Sequence, residues 1–301
     1  MSDTTSHDVV VIGAGAAGLT AVREALNAGL TAGWLEAQMY GGLVLNVNEL
    51  DGAITGSGAE LSSSWMSDAM EAGGENLEAV AAGIERDGDA LVVVSDAGRH
   101  HARAVIVASG AALKKLGVPG EAQLEYKGVS HCADCDGPMF EGQDVVVVGG
   151  GDSALQSAMV LSKFCGRVHL VHRGGSFRAQ PRWVEAVQGA DNVTVHWHSE
   201  VSEVLGTEGV EGARVNGDVI ACSGFFAFVG LKPSSDFLPA EIERDGTGAV
   251  KASGSLETAM PGVFAAGVVR SGCGGMLEDA VTDGRAAARA VAAKLGALQG
   301  A

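Results

Sequence analysis

Asp8-Val-Val-Val-Ile12, followed at once by Gly13-Ala-Gly15-Ala-Ala-Gly18, is the stretch on which the fold of this chain turns. Behind its leading aspartate the run is apolar and β-branched without alternation. That pattern predicts a strand buried on both faces of a parallel sheet. A helical stretch from about Leu19 to Ala28 comes next, and Thr31 to Glu36 reads as the following strand. Glycines at such a strand-to-helix turn have distinct uses. Gly13 permits the tight turn, Gly15 lets the backbone approach a pyrophosphate, and Gly18 lets helix and strand pack closely. Glu36 closes the second strand, placed to accept hydrogen bonds from ribose hydroxyls.

The pattern restarts in mid-chain. Asp144-Val-Val-Val-Val148 reads as a second buried strand and Gly149-Gly-Gly151-Asp-Ser-Ala154 as its turn. An apolar helix runs to about Phe164, and Val168 to His172 is the succeeding strand. This is a duplication at domain scale, too long for a solenoid repeat. The second unit ends on His172-Arg173, with Arg178 close by, and no acid takes the place of Glu36. Arginines there would bind a 2′-phosphate that a carboxylate would repel, so this turn reads as a site for NADP(H) rather than NAD(H). Two dinucleotide sites suggest one cofactor held and one exchanged. FAD with a nicotinamide is the economical pair, because flavin accepts a hydride and passes electrons singly or in pairs.

Further out, Ala90 to Ser95 and Arg103 to Ala108 read as strands paired about Gly98. Gly224 to Val229 and Gly262 to Ala266 read as strands, and Leu277 to Leu298 as an Ala-rich helix. Domain boundaries are expected near Gly117-Val-Pro-Gly120 and between Glu241 and Gly248. His100-His101 is expected in solvent at a hairpin turn. His196-Trp-His198 is expected to set two imidazoles on one strand face, with no third ligand for a metal.

The 301 residues are 47% hydrophobic, too apolar for a disordered chain. A net charge of −17 argues against nucleic acid or an anionic membrane as partner. Met1 to Asp8 lacks the layout of a signal peptide, and no apolar run approaches bilayer length, so a cytoplasmic location is expected.

Five cysteines in such a chain do not suggest a disulfide framework. Only Cys132-Ala-Asp-Cys135 is closely spaced. Zinc would need a second close pair, and Cys165, Cys222 and Cys273 are isolated, so the pair reads as a redox dithiol. Asp136 follows immediately, and a carboxylate beside a thiol can shuttle the proton of thiol–disulfide exchange. His131 could carry a proton too, but a hydrogen-bonded structural role is the plainer reading.

Gly128-Val-Ser-His-Cys132-Ala-Asp-Cys135-Asp-Gly137, followed by Val145-Val-Val-Val-Gly-Gly-Gly-Asp-Ser-Ala154, resembles the bacterial low-molecular-weight thioredoxin reductases. So do Gly41-Gly42, Ser109-Gly-Ala111, Val168-His-Leu-Val-His-Arg173, Phe177-Arg-Ala179 and Val263-Phe-Ala-Ala-Gly267, in order over nearly the whole chain. The resemblance implies an α/β fold of two Rossmann-like, three-layer ββα dinucleotide-binding domains. The FAD domain would be 1–116 plus 245–301, split by an NADPH domain of 117–244 that carries the dithiol. It implies a homodimer, and a domain rotation that brings nicotinamide and dithiol to the flavin in turn. FAD would be held by Gly13, Gly15, Ala16, Ala17, Gly18, Glu36, Gly41, Gly42, Leu43, Gly110, Gly267, Val268, Met276 and Leu277. NADPH would be held by Gly151, Asp152, Ser153, His172, Arg173 and Arg178. Cys135 would lie against the flavin, Cys132 would attack the disulfide of thioredoxin or a similar small protein, and Asp136 would be the acid/base.

Four departures mark this chain. The family's second arginine after that histidine is Gly174, and its ribityl-holding aspartate is Val268. Its Arg-Gln-Ala near the flavin is Gly275-Met-Leu277, and the stretch after Gly41-Gly42 is about three residues short. Cys273 lies in the altered loop, either as a small buried residue or as a third redox thiol. The altered loop leaves two alternatives, a flavin-dependent oxidase that closes disulfides in small dithiols and a non-catalytic redox sensor. The kept second site and its arginines weigh toward the reductase.

Overall fold

The computed structural model describes residues 5–47, 50–88 and 90–296. By its contacts the chain divides into two units, Met1–Ala112 with Lys232–Ala301, and Leu113–Leu231. The first opens with β1 (Thr5–Ile12), α1 (Ala16–Asn27) and β2 (Ala32–Leu35). It continues with α2 (Gly58–Glu71), β3 (Glu75–Asn76), β4 (Ala81–Asp87), β5 (Ala90–Ser95) and β6 (Arg99–Val107). The second unit contains β7 (Val129–Ser130), α3 (Ala133–Asp136), β8 (Asp144–Gly149), α4 (Asp152–Leu161) and β9 (Arg167–His172). Then come α5 (Pro181–Gln188), β10 (Val193–Trp197), β11 (Val201–Leu205), β12 (Gly212–Val215), β13 (Asp218–Ala221) and β14 (Gly224–Phe228). The chain returns to the first unit for β15 (Val263–Ala265) and α6 (Leu277–Leu295).

In the first unit the sheet runs β3-β2-β1-β6-β5-β4, with β15 beside β6. β1 pairs in parallel with β2 and β6, which places its C-terminal end, and the glycines after it, at the middle of the sheet. The valines explain why the run does not alternate. Val9 and Val11 pack with Leu19 and Val22 of α1 and Val291 of α6, while Val10 and Ile12 pack on the other face with Leu91, Val93 and Ile242. Each such side chain contributes roughly 1.5–3 kcal/mol by leaving water. Gly284 lets α6 lie on α1, since an added Cβ would stand 2.3 Å from the Ala17 carbonyl oxygen.

The second unit repeats the plan. Its sheet, β7-β14-β8-β9-β10, is parallel throughout. Val145 and Val147 pack with Leu155 and Ala158 of α4. Val146 and Val148 face the antiparallel β11-β12-β13 through Val204, Ala213 and Val215. Helices on one face and a β-meander on the other make the expected ββα layering. The doubled strand–glycine–helix motif therefore builds two Rossmann-like units, the first discontinuous in sequence.

Two local expectations differ from the structure. β6 begins at Arg99, so His100 lies inside a strand, only 6% exposed and hydrogen-bonded through Nε2 to Ser95 Oγ at 2.9 Å. The turn is confined to the residues around Gly98, and the polar look of Arg-His-His hid a paired strand. The segment 232–244 packs in the first unit, because Leu238 and Ile242 belong to its core.

Candidate functional site

The first glycine turn is shaped by collisions and by their absence. Gly13 takes φ +109°, and an added Cβ would stand 2.3 Å from the Ala108 carbonyl oxygen. At Gly18 it would stand 1.8 Å from the Gly13 carbonyl oxygen. At Gly15, the N-cap of α1, it would meet nothing nearer than the Gly41 carbonyl oxygen at 3.7 Å. The turn is thus closed where helix meets strand and open at the start of α1. The N–H groups of Ala16, Ala17 and Gly18 start α1 there without helical partners.

Other residues expected around FAD gather at the same end. Gly41 donates its N–H to the Ala14 carbonyl at 2.8 Å, and Gly42 and Leu43 begin the short helical turn Gly42–Asn46. The Glu36 carboxylate accepts from the N–H of Ala14 at 2.6 Å and of Gln38 at 3.0 Å, which fixes it beside the turn. Gly267 comes close to α1, since an added Cβ would be 2.9 Å from Ala17 Cβ. Gly110 is tied elsewhere, accepting from Ser234 N–H at 3.0 Å. Met276 caps α6, Leu277 opens it, and Val268 is half-buried.

One residue here was not anticipated. Asp283, buried within α6, accepts from Gly267 N–H at 3.0 Å and takes a forked pair from Arg270 at 2.8 and 2.9 Å. That pair raises the Arg270 pKa further and holds the backbone around Val268. Its only sequence signal is a lone Asp-Gly inside an Ala-rich helix.

The second turn follows the same rules. Gly149 has φ +154°, and at Gly150 an added Cβ would fall 2.2 Å from the His172 ring. Gly151, the N-cap of α4, has nothing within 4 Å of an added Cβ. Asp152 is turned to the following loop, accepting from Gln180 N–H at 2.7 Å and Nε2 at 2.9 Å. His172 is buried, bonds Ser176 O through Nε2 at 3.0 Å, and packs on Phe177 and Trp197. It props the loop. Ser153, Arg173 and Arg178 are exposed, and neither arginine makes an ion pair among the described residues.

The expected pair of imidazoles on one strand face is not formed. β10 ends at Trp197, and His198 leaves the strand with φ +51°. His196 instead meets His169 of β9, Nε2 to Nδ1 at 3.0 Å. Burial lowers both of their pKa values. Among the described residues no group of three or more His, Cys, Asp or Glu is placed to hold a metal.

The dithiol is closed. Cys132 and Cys135 form a disulfide across α3, with Cα atoms 5.3 Å apart. Cys132 is the N-cap, and its Sγ accepts from Cys135 N–H at 3.1 Å. Ser130, missed by sequence reasoning, organises the group. Its hydroxyl donates to Asp136 Oδ2 at 2.5 Å and accepts from Cys132 N–H at 3.1 Å. His131 is taken up by Glu125, Nε2 to Oε1 at 2.9 Å, and Glu125 also pairs with Lys115. Its bond to Lys115, against the opposing cost of burial, holds the Glu125 carboxyl below its usual range. Beyond the pair, Phe140 is buried against Phe226 while Met139 is 72% exposed and Cys135 is exposed.

The other thiols are chemically muted. Burial pushes Cys165 up to about 11 and Cys222 up to about 12, and raises half-buried Cys273 as well. The thiolate is the reactive form. Titration of the native reduced protein with a disulfide reagent is therefore expected to give a fast phase of two thiols. Peptide mapping should assign it to Cys132 and Cys135, with Cys165 and Cys222 labelled only after unfolding. Fast labelling of either buried thiol would contradict this.

Comparison with known proteins bears on the site as a whole. The family model "Pyridine nucleotide-disulphide oxidoreductase" matches residues 7–293. A thioredoxin reductase of Treponema pallidum is 34% identical over 98% of this chain and 99% of its own length. One from Mycolicibacterium smegmatis is 38% identical over 87% of this chain and 88% of its own. Among solved structures, thioredoxin reductase of Lactococcus lactis superposes with a TM-score of 0.91 at 32% identity, covering 97% of this chain and all 100% of that one.

Proposed function

We propose that the chain, which belongs to the pyridine nucleotide-disulphide oxidoreductase family, reduces a disulfide of thioredoxin or a similar small protein with electrons from NADPH. Members of this family use FAD and NADPH, and the chain is an enzyme of the thioredoxin reductase type. The relatives compared above are reductases by name, which does not favour the dithiol-oxidase alternative. The observation that carries the reading is the closed Cys132–Cys135 pair, with Asp136 fixed beside it through Ser130.

FAD is assigned to the first unit. The open space at Gly15 and the first amides of α1 suit its pyrophosphate, and Glu36 suits its ribose. Gly41 to Leu43 and the loop from Gly267 to Val268 would line it, with Gly110, Met276 and Leu277 at its margin. NADPH is assigned to the second unit, at Gly151, Ser153, Arg173 and Arg178, with His172 and Asp152 positioning the loop. When bound, FAD supplies the relay that moves an electron pair from NADPH to the dithiol.

The protein's own residues do the rest. In the reduced pair the Cys135 N–H stabilises a thiolate on Cys132, as it now contacts that sulfur. Cys132 Sγ attacks one sulfur of the partner disulfide, a mixed disulfide forms, and the partner's other sulfur leaves as a thiolate. Asp136 supplies a proton to that leaving thiolate and takes it from Cys135 in the next step. Cys135 Sγ then attacks Cys132 Sγ and restores the closed pair, and the partner's second sulfur leaves as a thiolate that takes up the proton held on Asp136. Exposed Met139 offers an apolar contact next to exposed Cys135 for the incoming protein. The same reading carries a homodimer in the cytoplasm. No helix among the described residues is long and apolar enough to cross a membrane.

Anaerobic mixing tests it. NADPH is expected to bleach the flavin at least about tenfold faster than NADH, the value of one charge-assisted contact. Oxidised thioredoxin should then restore the colour. A flavin that neither nucleotide bleaches would overturn the proposal.

A further inference from the structure

We propose that His198 is a third binding group, beside Arg173 and Arg178, for the 2′-phosphate of the nucleotide taken by the second unit; this rests on the NADPH reading above. β8, β9 and β10 are parallel neighbours, so the glycine turn, Arg173 and His198 all follow strands that end at one edge of the sheet. That edge is where open α/β sheets bind their ligands. Arg173 and Arg178 bracket a loop in which Gly174 replaces the second arginine that the resemblance leads one to expect.

The geometry fills that gap from the next strand. His198 N–H reaches over to the Gly174 carbonyl at 3.2 Å, and its own carbonyl accepts from Asn216 Nδ2 at 3.1 Å. Held on both sides, it sits in the left-handed region at φ +51°, a conformation that costs a residue other than glycine free energy and tends to mark function. The result is that its ring is laid against the loop. A Cβ added at Gly175 would lie 2.9 Å from His198 Cε1 and 3.0 Å from Nε2. On the other side, a Cβ at Gly174 would lie 3.0 Å from His172 Nε2. The loop between the arginines is thus glycine because two imidazoles occupy the room that side chains would need. His172 is buried and bonded to Ser176, so it is committed to structure. His198 is exposed and its ring makes no hydrogen bond or ion pair among the described residues.

A permanent charge at 174 is exchanged for an imidazole at 198, whose ring N–H can donate to an oxygen of the 2′-phosphate. NAD⁺ carries no such phosphate, so the contact favours NADP⁺ over NAD⁺.

The test is equilibrium binding of NADP⁺ and NAD⁺ to the FAD-loaded protein, for wild type and His198→Asn. Asparagine keeps the left-handed backbone at little cost. His198→Asn should weaken NADP⁺ roughly tenfold and leave NAD⁺ unchanged. Equal weakening of both nucleotides, or no weakening of NADP⁺, overturns the role of His198 while leaving the NADPH reading in place. A wild type without preference for NADP⁺ overturns both.

Discussion

Serine at either Cys132 or Cys135 is expected to abolish thioredoxin reduction, by on the order of a thousandfold or more, while FAD content and its bleaching by NADPH persist. The separation follows from the architecture. The open glycine turn assigned to FAD belongs to the first unit, whereas the dithiol is set on α3 between β7 and β8 of the second. A sulfur-to-oxygen change on α3 leaves the packing of β1, α1 and α6 untouched. The two variants should differ from each other. In Cys135→Ser the amide of residue 135 still contacts Cys132 Sγ, so the attacking thiolate survives while the resolving thiol is lost. That variant should trap oxidised thioredoxin as a stable mixed disulfide, visible on a non-reducing gel. Cys132→Ser should trap little. Exposure points the other way, since Cys135 is the more exposed residue of the closed pair. The amide contact carries more weight, because thiol–disulfide exchange follows the thiolate, and opening the disulfide changes which sulfur is accessible. Trapping by Cys132→Ser alone would reverse the roles, and thioredoxin turnover surviving in either variant would sink the mechanism.

What could be read from the chain depended on how local the physics was. Val9 to Ile12 and Val145 to Val148 announce strands buried on both faces because their side chains alone decide it. The glycines at 13, 18 and 149 are legible for the same reason, since each answers a collision with a neighbour that any strand–turn–helix would bring. Groups assembled across sequence distance were not. Ser130 and Asp136 meet only because α3 folds back. Asp283 reaches Gly267 only when α6 lies on α1. His196 looked paired with His198 by spacing, but register on β9 gave it His169, and the backbone of His198 turned away. His100 was misread because polarity is a weak signal where a neighbouring strand supplies the hydrogen bonds.

The glycine turn of the first unit yields the second large effect, and it separates folding from cofactor binding. Gly18→Ala should destabilise the protein by on the order of 3 kcal/mol or more, because its Cβ would stand 1.8 Å from the Gly13 carbonyl oxygen, a backbone atom that cannot rotate away. The melting temperature of the apoprotein should fall by about 6 °C or more, and FAD should be lost with the turn. Gly15→Ala is a different experiment with the same methyl group. Gly15 has extended backbone, φ −83° and ψ −172°, which alanine adopts freely, and its Cβ would meet only the Gly41 carbonyl oxygen at 3.7 Å. The apoprotein should therefore melt within about 2 °C of wild type. The methyl does, however, enter the space left open at the start of α1, to which the FAD pyrophosphate is assigned. FAD affinity should drop about tenfold or more, the loss of at least one charge-assisted contact. The flavin-to-protein absorbance ratio after gel filtration reads one quantity and the apoprotein melt the other. If Gly15→Ala keeps its flavin at wild-type affinity, the pyrophosphate does not lie over this turn. If Gly18→Ala melts like wild type, the close approach of α1 to β1 is not what requires glycine there.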